Sequence, residues 1–150
     1  MTKATRFVDY ARNIIGGTFV KSTELTGNYG IINFYSSFDE YKNDNPKSLL
    51  TEDDYKKHFE TKEKIEKILV IENVRLLQQF PTLVGVKMKL QFDEKIYSMK
   101  IDRTSVNDYL GLKIEDLKIE DGSWNSEFLN PIGYNDRKRK DFIKKFGKVN

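Results

Sequence analysis

With 150 residues, 38% of them hydrophobic and 13% aromatic, the chain has the material for one core, and at this length folding buries roughly two thirds of the unfolded surface. A charged fraction of 33% and a mean hydropathy of -0.63 describe a well-solvated exterior rather than a disordered chain. The absence of cysteine excludes disulfides, thiolate nucleophiles, iron–sulfur clusters and cysteine zinc sites. The net charge of +3 is too small to argue for a polyanion by itself, but its distribution is uneven. Tyr134 to Asn150 holds seven Lys or Arg and two Asp, a net of +5, which leaves residues 1–133 at -2. Glu115, Asp116, Glu120, Asp121 and Glu127, against Lys118 alone, form the opposite bias, and an intramolecular contact between the two segments is the plainest expectation.

The leading residues Met1 to Arg6 run into an amphipathic segment rather than a signal-type apolar block, and no apolar run approaches the roughly 18–20 residues that span a bilayer. A soluble cytoplasmic protein is expected, with an exported domain that has lost its signal as the alternative. Phe7, Val8, Ala11, Ile14 and Ile15 make one helical stripe that Gly16-Gly17 ends, predicting a helix over 5–15. Thr18 to Glu24 and Tyr29 to Phe38 are rich in β-branched and aromatic residues about the turn Leu25-Thr26-Gly27-Asn28, a first hairpin. Asp39 to Leu50 is polar and contains Asn43, Asp44, Asn45 and Pro46, which predicts a surface loop.

Thr51 with Asp54 forms a capping box in which Asp replaces the usual Glu, so a helix starts at Glu52. Thr61 can cap a second helix, making the segment to Gln79 one long helix or two joined near Glu60. Ile65, Ile68, Leu69, Val70, Ile71, Val74, Leu76 and Leu77 cover more than half its circumference, and Phe80-Pro81 ends this central core helix.

The strongest pattern follows. Val84, Val86, Met88, Leu90 and Phe92 alternate with polar residues, as do Tyr97, Met99 and Ile101. A turn at Asp93-Glu94 pairs residues whose numbers sum to 187, bringing Leu90 to Tyr97, Met88 to Met99 and Val86 to Ile101 on one apolar face. The other face then holds Lys87, Lys89 and Lys100, with Lys87 directly opposite Lys100. Beyond the hairpin, Thr104 or Ser105 caps a short helix closed by Gly111. Ile114, Leu117 and Ile119 fit a helical turn or a short strand, Gly122 to Gly133 reads as irregular, and Asn135 caps a final helix bearing Phe142, Ile143 and Phe146. The predicted fold is one α+β domain over 1–150: an antiparallel sheet of two β-hairpins with helices on one face, in the order α-ββ-α-ββ-α-α.

No motif of catalysis accompanies this fold. His58, the only histidine, sits on a charged helix, which excludes histidine-rich metal sites. No G-x-S-x-G elbow, P-loop or G-x-G-x-x-G is present, and Glu52-Asp53-Asp54 suits a helix N-terminus. Neither a metal nor a cofactor is expected. The basic final helix offers Arg137, Lys140 and Lys144 on one face, flanked by Lys138, Arg139 and Lys145, as candidate phosphate contacts beside Lys87, Lys89 and Lys100. Tyr35, Tyr41 and Trp124 are candidate aromatic anchors for a partner, core packing being the plainer reading. Three functions follow in order of preference: a non-enzymatic binding or regulatory module acting through protein contacts, as an inhibitor, adaptor or accessory factor does; a nucleic-acid-binding protein using helix 135–146 and the lysine face of hairpin 84–103; and a hydrolase with dispersed carboxylates.

Overall fold

A computed structural model of the chain describes residues 3–150; Met1 and Thr2, within the leading segment considered above, lie outside the described residues. Helix α1 spans Lys3–Ala11, strand β1 Val20–Thr26, β2 Tyr29–Phe34, α2 Phe38–Asp44, α3 Glu52–His58, α4 Lys62–Lys67 and α5 Asn73–Gln79. Strand β3 is Gly85–Phe92, β4 Lys95–Asp102, α6 Arg103–Leu110, α7 Asp136–Phe146 and β5 Gly147–Val149. The strands form one five-stranded mixed sheet in the order β1-β2-β3-β4-β5.

The second hairpin pairs in the register its alternation predicts, with Leu90 on Tyr97, Met88 on Met99, Val86 on Ile101 and Lys87 on Lys100. Asp93 and Glu94 turn the chain with φ of 51° and 62°, the left-handed pair of a two-residue turn whose twist matches that of the strands.

The purely antiparallel sheet is corrected: β2 and β3 run parallel, Ile32 beside Met88. A parallel pair needs a long crossover, and the helices between Phe34 and Gly85 supply it, returning the chain to the end of the sheet from which β2 set out. The two hairpins join side by side in this way, and a fifth strand that the alternation does not announce extends the sheet at β4.

Local chemistry explains the other departures. Helix α1 ends at Ala11 rather than 15, and Gly16 takes a left-handed φ of 79° that turns the chain into β1. The segment 39–50 is not all loop. Ser37 accepts the Glu40 N–H at 3.1 Å, the Glu40 carboxylate accepts the Ser36 N–H at 2.9 Å, and Tyr41 anchors the resulting helix α2 in the core. Helices α3 and α4 are separate, opened by Thr51 in its capping box with Asp54 and by Thr61. Asp102, rather than Thr104 or Ser105, caps α6, accepting the Ser105 N–H at 2.8 Å. The stretch expected to be irregular is instead helical, with a π-helical run over Asn125–Gly133 that contains Pro131. Proline has no N–H to place in an α-helical ladder, and the wider turn accommodates it while Phe128 stays buried.

One face of the sheet is the core. Ile32, Phe34, Val86, Met88, Leu90, Tyr97, Met99 and Ile101 are all buried there, beneath α1 and the helix that runs from α4 through a π-helical turn at Ile68–Glu72 into α5. Phe7 of α1 presses so closely on β2 that a Cβ at Gly30 would lie 2.4 Å from its ring. Arg103 fixes the far end of α5, donating to the carbonyls of Leu77 and Phe80, each at 2.8 Å, and of Leu83 at 3.1 Å. Pro81 has no N–H to offer the Leu77 carbonyl at the end of α5, and the guanidinium fork ties that helix end to the turn at Phe80 and Leu83 just before β3 begins.

Candidate binding face of the sheet

On the other side of the sheet every second residue points away from the helices, and the pairings fix which residues meet. Ile31 lies beside Lys87 and Asn33 beside Lys89 across the parallel junction. Lys87 then faces Lys100, Lys89 faces Ser98, and Ser98 faces Lys148 of β5. Lys87, Lys89, Lys100 and Lys148 are exposed, and among the described residues the side chains of Lys87, Lys89 and Lys148 make no ion pair or hydrogen bond. Neighbouring strands lie about 4.8 Å apart and alternate residues of one strand about 7 Å apart, so the four lysines stand at the positions of a compact two-dimensional array. Directly opposed like charges repel, so the Lys87–Lys100 pair favours solvent or an anion between its two ammonium groups.

Tyr29 lies at one end of this array. A Cβ on Gly85 would approach its ring to 2.6 Å, so the ring lies flat across the glycine, and its hydroxyl donates to the Ile101 carbonyl at 3.3 Å. The Lys100 ammonium sits over the ring, 5.4 Å from its centroid. Burial against the sheet raises the Tyr29 hydroxyl above the usual tyrosine range, and the Asp102 carboxylate adds to the effect. At the opposite end, Asn33 donates to Ser22 at 3.1 Å, and Lys21 meets Glu40 at 2.7 Å. That hydrogen bond lifts the Lys21 pKa, and together with the Ser36 N–H it holds the Glu40 carboxyl below the usual range. A shallow depression of about 210 Å³ opens here among Asn33, Glu40, Lys89, Gln91 and Ile96.

The structure separates residues that the sequence places together. Lys140 and Lys144 border a groove with Tyr97, a residue of the core-facing side, so α7 and its cations lie across the sheet from Lys87, Lys89 and Lys100. Arg137 and Lys138 are exposed on that helix. Arg139 is a correction: it is fully buried, donating to the Gly133 carbonyl at 3.0 Å, to Asp136 and to Glu66 at 3.4 Å, so it is a packing residue and not a surface contact. The expected contact between the acidic and basic segments is also replaced. Among the described residues the ion pairs of the basic segment run to Glu66 and Asp136, and Glu115 pairs with Arg103.

The aromatic anchors belong to the core. Tyr35 and Tyr41 are 7% and 6% exposed, with hydroxyls held by Asp44 and Ser48, and Tyr41 packs edge-on to Phe19. Trp124, 2% exposed, lies against Phe128 and beneath the Arg75 guanidinium. His58 is edge-on to Phe19, a packing role. Glu66 and Glu72, the buried carboxylates, are each engaged by an arginine. Among the described residues no three His, Asp or Glu converge as metal ligands do, and no helix is long and apolar enough to cross a membrane.

Tyr29 and Lys148 are the members of this face that the sequence pattern does not single out. Tyr29 owes its place to the parallel junction and Lys148 to a strand too short to show alternation. Comparison with known protein families, characterised proteins and solved structures finds no match to any of them.

Proposed function

We propose that this protein is a non-enzymatic binding module whose working surface is the uncovered face of its sheet, and that its partner is an anionic macromolecule. One observation carries the reading: the exposed array of Lys87, Lys89, Lys100 and Lys148 stands on the sheet, and the other residues paired directly with it across the strands, Ile31, Asn33 and Ser98, are uncharged. Lysine strips at a sheet edge commonly serve to discourage aggregation, but Lys87 and Lys89 lie on the central strand, where no edge needs protection. Repelling charges gathered on a flat, open face gain most when an anionic surface replaces the water between them. The basic face of α7, across the sheet, is read as a solvated helix surface, of which Lys144 and Lys145 lie in the last turn, where the helix dipole favours cations.

Retention on an immobilised polyanion such as heparin tests the assignment. The intact protein is expected to be held at low salt and released as salt rises. Replacing Lys87, Lys89 and Lys100 with glutamate should abolish retention, whereas replacing Arg137, Lys138 and Lys144 should change it little. Early elution of the helix variant with unchanged retention of the sheet variant would move the binding surface to α7 and overturn the proposal.

A further inference from the structure

The chemistry of the lysine face points to a narrower partner, and this step rests on the reading just given. We infer that the face takes a single-stranded nucleic acid, its phosphates on Lys87, Lys89, Lys100 and Lys148 and one base stacked at Tyr29.

The first reason is what a sheet face can and cannot offer. The backbone groups of β2, β3 and β4 are engaged in the sheet's ladders, so a polypeptide laid across this face finds side chains only. Extended peptides that add to sheets do so at an edge, where free N–H and C=O groups await them. A nucleic acid strand needs no backbone partner; it presents phosphates to ammonium groups and flat bases to aromatic rings.

The second reason is spacing. Lys87 and Lys89 project from the same side of β3 about 7 Å apart, the order of the separation between successive phosphates on an extended strand. Across the strands, Lys100 stands one strand from Lys87, about 4.8 Å away, and Lys148 two strands from Lys89, about 10 Å away, so the array is wide enough for a strand to cross.

The third is Tyr29. Gly85 leaves room for a ring to lie on the sheet rather than stand up from it, and any side chain there would strike the ring at 2.6 Å and the Ile101 carbonyl at 2.5 Å. A flat tyrosine beside lysines is the combination on which bases stack without regard to sequence. Lys100, now over the ring, moves to a phosphate as the base takes its place. Asn33, Ser98 and Gln91 lie between or beside the lysines with amide and hydroxyl groups for base edges. Arginine, whose fork reads guanine, is absent from these positions, so affinity without strong base preference is expected.

The test uses fluorescence anisotropy with labelled oligothymidine and oligouridine, a duplex of the same length, and polyglutamate as competitor. The single strands should bind more tightly than the duplex, with a log–log salt slope of roughly -3, from about 0.7 per phosphate neutralised. Lys89→Ala should lower that slope by about 0.7. Tyr29→Leu should weaken binding roughly tenfold with the slope unchanged, within what one base–aromatic stack contributes, and Tyr29→Phe should not. As a measurement independent of any variant, bound oligothymidine should protect Lys87, Lys89, Lys100 and Lys148 of the unaltered protein from acetylation, read by mass spectrometry.

Polyglutamate that competes at equal charge concentration, together with an inert Tyr29→Leu, would overturn the nucleic-acid assignment and leave an acidic protein surface on the same lysines. Tighter binding to the duplex would overturn it too. If oligothymidine protects none of these lysines and the variant lacking all of them still binds both polymers, this inference and the broader binding-face reading fall together.

Discussion

Arg139 separates a structural cation from a binding one, and its removal should be costly. The side chain is fully buried, and its guanidinium joins the Gly133 carbonyl, Asp136 and the Glu66 carboxylate, which is itself only 4% exposed. In Arg139→Ala, Glu66 stays buried with the Lys140 ammonium at 3.8 Å as its nearest cation, and Gly133 loses the partner of its carbonyl. Leaving one member of a buried pair uncompensated costs about 3–5 kcal/mol, which for a chain of this size lowers Tm by on the order of 10 °C. Arg137→Ala, two residues away on the exposed side of α7, should stay within about 0.5 kcal/mol of the intact protein.

The pair can be tested against its own desolvation. Replacing both groups with apolar residues, Glu66→Leu with Arg139→Met, should recover most of the loss, because no buried charge is then unpaired. Urea denaturation of the singles and the double measures this coupling directly. A cost for Arg139→Ala no larger than that for Arg137→Ala would refute the reasoning, as would a double variant whose loss equals the sum of its parts.

Glu72 and Lys87 supply further expectations. Burial raises the Glu72 carboxyl above the ordinary glutamate value of 4.5, while Arg75 and the Ile15 N–H pull it part of the way back. The folded state therefore binds the proton more tightly than the unfolded chain, and stability falls as pH rises through the window above 4.5. Glu72→Gln removes that slope: the variant should match the intact protein in acid and gain on it toward neutrality, in urea midpoints taken across pH 4–8, and the opposite trend would show that the arginine outweighs burial. Lys87→Glu converts the repulsive cross-strand pair with Lys100 into an attractive one. It should raise stability by about 0.5 kcal/mol at low salt, less at high salt, in thermal melts that also report on polyanion binding, which the same change should weaken. Unchanged or lowered stability at low salt would mean the two lysines do not repel.

What the sequence makes legible, and what it hides, divides along the range of the interactions involved. The hairpin register could be read because a two-residue turn ties it to the alternation of Val86, Met88 and Leu90 with Tyr97, Met99 and Ile101. The parallel junction of β2 and β3 is set across the helical crossover, which no local periodicity records, so Ile31 as the second neighbour of Lys87 and the place of Tyr29 were out of reach. Helix α2 had a signal that its polar composition masked: Ser37 and Glu40 stand at the spacing of a capping box. Arg139 had one as well, since it precedes Phe142 and Phe146 by three and seven residues and so falls on the apolar stripe of α7.

The same division bears on the candidate face. A run of basic residues such as 137–140 looks like a binding site because its charges are adjacent along the chain, yet a helix distributes adjacent residues around its circumference and, in this fold, sends Arg139 into the core. Lys87, Lys89, Lys100 and Lys148 are scattered along the chain, and the sheet gathers them on one plane. A strand alternates its sides, so lysines two apart stay together, and cross-strand pairing extends the strip at right angles. Charge placed in space, rather than in sequence, governs attraction to an extended anion, and the proposed reading ranks the hairpin over the helix because α7 gives Arg139 to the core and sets Lys140 3.8 Å from Glu66. The retention experiment with the sheet and helix variants turns on this ranking: equal sensitivity to both sets of replacements would mean that total charge, and not its placement by the fold, drives association.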